Sequence, residues 1–169
     1  MSESSPPNPS RLIAAVSLAT IASVFPGLAS GALAVQASAD FDVSEGTYGW
    51  ALGSFFIGAA VTSLPLGRLA QRLGPRRQLL IGLAATMAIQ LTIALLVSSF
   101  GQMLAMLALA GVANSGVQSA VNLALTQASL PRLGLAIATK QAAMPGSAMI
   151  GGLAVPVVAL TLGWRWSYV

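Results

Sequence analysis

The sequence has 169 residues, 56% hydrophobic and 7% charged, where an ordinary soluble domain carries about 25% charged residues. Too few charges remain to clothe a soluble surface, and the net charge of +4 comes from basic residues in short segments beside apolar runs, a pattern of membrane topology and not of nucleic-acid binding. With no cysteine and no histidine, a disulfide framework, a Cys/His metal site and a His-based catalytic triad are excluded, and no cofactor is expected.

Met1 to Ser10 is rich in Ser, Pro and Asn and cannot bury enough apolar surface to order itself, so residues 1–10 are expected to form a disordered cytoplasmic tail. From Leu12 to Gln36 the chain is uncharged for 25 residues, more than the roughly 20 needed to cross a bilayer. This first span is expected at 12–36, bent near Pro26 and Gly27. It is too long for the core of a cleaved secretory signal, although Ala37-Ser38-Ala39 has the small residues of a cleavage site.

Asp40, Asp42 and Glu45 share the next connection. That clustering is wrong for an intramembrane aspartyl protease, which needs two carboxylates within spans. A second uncharged span is expected at 47–66, a third at 78–97 and a fourth at 103–129, since the uncharged stretch from Gln78 to Pro131 is too long for one helix and is divided by Ser98-Ser99-Phe100-Gly101-Gln102. After Pro131, Arg132 and Gly134, a fifth span is expected at 141–162, with Pro145 and Pro156 inside it.

Between the second and third spans lies Gly67-Arg68-Leu69-Ala70-Gln71-Arg72-Leu73-Gly74-Pro75-Arg76-Arg77, with four arginines in eleven residues. The positive-inside rule places this segment in the cytoplasm and the N-terminus with it. Arg11, Arg132 and Lys140 then also fall inside, and only Arg165 falls outside. Lys140, read at the start of the fifth span, is expected to snorkel to the cytoplasmic interface.

The arginine segment resembles the loop between helices two and three of the major facilitator superfamily, with the pattern G-x-L-A-D-R-x-G-R-R. The resemblance, carried over residues 11–169, implies an all-α bundle of five transmembrane helices plus the start of a sixth, the N-terminal half of a transporter. It further implies a gating loop made of Gly67, Arg68, Gln71, Arg72, Gly74, Arg76 and Arg77. Gln71 stands where the family has aspartate, and an amide keeps hydrogen bonding without the charge. By the same resemblance the partners are a small-molecule substrate, the lipid bilayer of the inner (plasma) membrane, a coupling proton or ion, and a C-terminal transporter half.

On the fourth span Asn114, Gln118 and Asn122 recur every four residues and form one helical stripe. Amides at membrane depth need partners, so the stripe either bonds neighbouring helices or lines a wet cavity. With Gln141, these are the candidate pathway residues. Many members of the resembled family carry a basic residue early in helix four; Ala110 to Gly116 has none, so by that resemblance a buried cation is expected to be missing from this half and the substrate to be neutral or weakly polar. On the fifth span Pro145, Gly146, Ser147, Gly151 and Gly152 belong to a segment of small residues that lets another helix approach closely. The segment is also similar to the proline- and glycine-rich helix-five motif of antiporters, with the Pro-Gly order reversed.

Gly163-Trp164-Arg165-Trp166-Ser167-Tyr168-Val169 is expected to sit at the outer interface as the beginning of a sixth helix, with the chain a fragment of a larger transporter. A second reading stays open at this point: a non-transporting membrane remnant or helical interaction partner, which would use up its amides in contacts among its own helices.

Overall fold

The computed structural model describes residues 9–128 and 130–168, with the backbone alone at 154–156. The fold is all α. Six helices follow in order, α1 (Pro9–Ala32), α2 (Ala34–Asp40), α3 (Glu45–Leu73), α4 (Pro75–Leu96), α5 (Phe100–Gln127) and α6 (Leu133–Ala154), then a π turn at Val155–Ala159 and a 3-10 turn at Trp164–Tyr168. All but the short α2 are long and apolar enough to cross a membrane, five spans in the described chain.

Several boundaries differ from the sequence expectation, each for a local reason. Pro9 and Ser10 already belong to α1, because proline's fixed φ suits a first helical turn; residues 1–8 of the expected tail lie outside the described residues. The helix of the first span is continuous through Pro26 and Gly27 and is interrupted at Leu33. Ser44 caps α3 by accepting from the Thr47 backbone N–H at 3.1 Å, and Ser99 caps α5 through the Gln102 N–H at 3.4 Å, satisfying donors that a helix start leaves free. The fifth span begins at Leu133, eight residues before the expected 141, since Leu-Gly-Leu-Ala-Ile-Ala-Thr is apolar and one glycine in a first turn does not prevent a helix.

The spans alternate in direction, which sorts the charges. Asp40, Asp42 and Glu45 lie at one end of the bundle, the acidic end, where the Phe100 ring at the start of α5 stands 6.3 Å from Phe41 and 5.9 Å from Tyr48. Arg11, Arg68, Arg72, Arg76, Arg77 and Arg132 belong to helix ends and turns at the other, the arginine end. Arg165 is the basic group at the acidic end. It pairs with Asp40 at 2.8 Å and donates to the carbonyl of Val97, the C-cap of α4, at 3.0 Å.

The aromatic segment lies at the acidic end, packed onto the bundle. Trp164 and Tyr168 are buried and only Trp166 is half open. Trp164 donates its indole N–H to Asp40 at 3.2 Å and sets its ring edge-on to Phe41 at 5.4 Å. A polar partner for the N–H and an apolar one for the ring make burial favourable. Val169 lies outside the described residues.

Helix α5 is central. It packs on α3, α4 and α1, while α6 lies mainly on α1. Against α3 the approach is set by Gly58 and Gly111: a Cβ on Gly111 would collide with the Phe55 carbonyl oxygen, and one on Gly58 with that of Ala108. This backbone contact replaces the side-chain knobs of a soluble bundle. The core divides into a cluster around Tyr48, Phe55, Met103 and Leu107 toward the acidic end and one around Val16, Val117, Val121 and Leu125 toward the arginine end. Leu18, Ile57, Val61, Leu80, Ile81 and Leu95 are exposed, an apolar outer surface matched to lipid.

Candidate functional site

The arginine segment is not a loop. Gly67, Arg68, Gln71 and Arg72 belong to the last turns of α3, Arg76 and Arg77 to the first turn of α4, and the connection between the helices is Gly74 alone. Leu, Ala, Gln and Arg are good helix formers and carry α3 to Leu73. Gly74 then takes φ 82°, ψ 154°, a region open essentially to glycine, and Pro75 starts α4 at its N1 position. Gly67 is not a close-approach point, because a Cβ there would meet only Ser119 Oγ at 4.0 Å. All four arginines and Gln71 are exposed.

Arg68, Gln71 and Gly67 border a hollow of about 380 Å³ whose opposite wall is Ser119, Asn122 and Thr126 of α5. A second hollow, of about 500 Å³, continues along the same two helices between Phe56, Ala60 and Ser63 of α3 and Asn114, Gln118 and Asn122 of α5. Ser63, Ser119 and Asn122 line both. The polar stripe of α5 therefore borders an open groove, the channel, that runs from the arginine end toward the middle of the bundle and has no wall on its outer side.

The stripe is only partly used for internal bonding. Asn114 Oδ1 accepts from Ser23 Oγ of α1 at 3.0 Å and from Gln118 Nε2 at 3.4 Å. Gln118 Oε1 is buried with no partner among the described residues. An unsatisfied buried carbonyl costs about 1–3 kcal/mol, and because this oxygen is closed off from solvent the side chain would have to turn toward the hollow to gain a partner there. Asn122 Oδ1 accepts from Lys140 Nζ at 3.3 Å.

Lys140 corrects two expectations. It does not snorkel; it is the eighth residue of α6 and 4% exposed, about 10 Å into a span at 1.5 Å per residue. A buried cation is thus present in this bundle, supplied by α6 and not by α5. Besides Asn122, its amine donates to Gln141 Oε1 at 3.2 Å. Insertion scales put an ammonium at the centre of a span at about 2.5–3.5 kcal/mol, on those scales an upper figure for Lys140, which stands nearer the start of α6. Gln141 itself is exposed on α6, so the amine lies between an amide of the channel wall and an open amide.

The small-residue segment of α6 divides by face. Ser147 is buried and donates to the Ile21 carbonyl of α1 at 3.3 Å, and a Cβ on Gly151 would rest 3.6 Å from Ala29 Cα. Pro145 is exposed, and Gly146 and Gly152 have open space where a Cβ would stand. A further hollow, of about 280 Å³ among Leu66, Ile81, Val112 and neighbours, is apolar and lies outside this site. Its one amide, Gln78, gives its N–H groups to the carbonyls of Leu66 and Gly116 at 2.9 and 3.0 Å.

Sequence reasoning missed the Gly58–Gly111 approach and the position of Lys140. The first carried a weak signal in the small residues around Gly111; the second needed an earlier start for the fifth span. No curated protein matches the chain. The family profile described as Major Facilitator Superfamily matches residues 10–169, all five spans and the aromatic segment after them. With a charge-sorted helical bundle and a polar channel face, that match over almost the full length means that the chain belongs to the major facilitator superfamily.

Proposed function

We propose that this chain forms one wall of an alternating-access pathway for a small solute, with its N-terminus and arginine end in the cytoplasm and its spans in the plasma (inner) membrane. The family moves small solutes and does not transform them. A second bundle, the C-terminal half, would close the open side of the channel, and rocking the two about a shared site would expose solute to each face in turn. A solute or ion gradient would drive the cycle. The Gly74 junction, with arginines on both sides, is the natural hinge and gate at the cytoplasmic end.

One observation carries this reading: the amide stripe of α5 opens onto two joined hollows with Gln118 Oε1 unpartnered. The alternative, a helical interaction partner, would consume those amides internally. Here Asn114 is held through Ser23 and Asn122 Oδ1 takes the Lys140 amine, but Gln118 Oε1 has no partner among the described residues.

This chain has no cysteine and adds no background to a thiol label; any cysteine of the second bundle is first replaced by serine. A Ser119→Cys variant of the full protein, in sealed vesicles of each orientation, should react with a membrane-impermeant maleimide from both sides. Ser98→Cys should react only from outside and Arg132→Cys only from inside. Labelling of Ser119→Cys from one side alone, or from neither, would exclude alternating access.

A further inference from the structure

The groups around Lys140 form a site with a charge but no countercharge. Its amine has three donors in the ammonium form, and both partners are neutral amide oxygens, Asn122 Oδ1 at 3.3 Å and Gln141 Oε1 at 3.2 Å. Charge-assisted bonds run to about 2.7–2.9 Å, so these amides hold the amine loosely and leave one donor unused. The carboxylates among the described residues, Asp40, Asp42 and Glu45, are all at the acidic end. Phe100 marks that end on α5 by its contact with Phe41, and Asn122 is 22 residues further along α5, about 33 Å away. Asp40 is moreover committed to Arg165. No carboxylate of the described bundle can neutralise Lys140.

The rest of the surroundings also suit an anion. With Oδ1 of Asn122 turned to the amine, its Nδ2 donor has no partner among the described residues, and the same holds for Nδ2 of Asn114, whose Oδ1 takes both bonds made there. Both residues line the channel. Arg68 borders the same hollow as Asn122 and adds positive potential along the way in from the arginine end. One buried ammonium flanked by amide donors matches a single negative charge spread over two oxygens. A dianion would need a second buried cation.

We propose that Lys140, with Asn122 and Gln141, is the binding site for a small monocarboxylate that this protein carries. The anion would displace the two amide oxygens from the amine and accept from Lys140 Nζ and from Asn122 Nδ2. The inference rests on the transport reading for how the anion reaches the site, but equilibrium binding can be measured without it.

The test uses purified full-length protein in detergent and pairs each carboxylate with its isosteric amide: acetate against acetamide and benzoate against benzamide, at ionic strength matched with sodium chloride. Thermal unfolding should show that the carboxylates, and not the amides, raise Tm. Lys140→Gln, which keeps a hydrogen-bond donor and removes the charge, should weaken the apparent affinity at least tenfold, whereas Lys140→Arg should retain most of it. Size-exclusion profiles show whether each variant is folded, and the arginine variant keeps the proposal testable if the glutamine variant is not.

Equal shifts from carboxylate and amide, or a Lys140→Gln response equal to the parent's, would overturn the anion site while leaving alternating access standing, provided that Ser119→Cys labels from both sides. No shift from any carboxylate, with Lys140→Gln lowering Tm in the absence of ligand, would overturn it in favour of a fixed carboxylate from the opposite bundle as the lysine's partner. One-sided labelling with intact carboxylate-specific binding would instead sink the transport reading and keep the site.

Discussion

At Gly111 the backbone of α5 comes so close to α3 that a methyl group would meet the Phe55 carbonyl oxygen, and the cost of forcing it in is that of overpacking, about 1–3 kcal/mol. Gly111→Ala should therefore lower the thermal midpoint of the detergent-purified protein by several degrees. At Gly101, in the first turn of the same helix, an added Cβ meets nothing within 4 Å, so Gly101→Ala should be neutral or slightly stabilising, through helix propensity. Equal effects at the two positions would mean that the α3–α5 contact is not set by glycine. Lys140 shows the limit of sequence reasoning at this scale. Its identity was plain, but its depth depended on where the helix began, and Pro131-Arg132-Leu133-Gly134 offered several starting points. The actual start at Leu133 carries the amine into the span, and only the three-dimensional structure brings it to Asn122, 18 residues earlier in the chain.

Among the elements, the spans themselves were legible because membrane helices announce themselves by uninterrupted apolar length. Their ends were less so. Arginines were read as loop markers, yet Arg68 and Arg72 ride on the last turns of α3 and Arg76 and Arg77 on the first turn of α4, since a charged helix end projecting from the bilayer stays a good helix. The true stop signal was the Gly74-Pro75 pair. Gly74→Ala places a side chain at φ 82°, ψ 154°, at a cost of about 1–3 kcal/mol for such backbone regions. The expected result is lower thermal stability and a changed ratio of inside to outside labelling at Ser119→Cys, because the strain falls on the only residue between α3 and α4. Unchanged stability and labelling would remove Gly74 as a hinge. The stripe of Asn114, Gln118 and Asn122 was legible by its spacing alone, whereas the division of labour within it was not. Ser23 on α1 holds Asn114, and nothing in the spacing announced that contact across 91 residues.

For the whole molecule, one distinction matters most: which exposed faces of the bundle meet lipid and which meet water. Leu109 is 49% exposed and Val112 lines the apolar hollow, while Ser115, Gln118, Ser119 and Asn122 line the polar channel. All six lie on α5, so the helix itself supplies the comparison. Polar side chains on a lipid-facing surface would be unfavourable, and the polar face must therefore be wet or covered by a second bundle. The most direct measurement is a cysteine scan of positions 109 to 122 in the full protein, read as the rate of reaction with a water-soluble maleimide in native membranes. The account predicts fast reaction at 115, 118, 119 and 122 and slow reaction at 109, which lies on the opposite side of α5 from 118, a helical periodicity in water access. Uniformly slow reaction along α5, or reaction at Leu109 as fast as at Gln118, would contradict it.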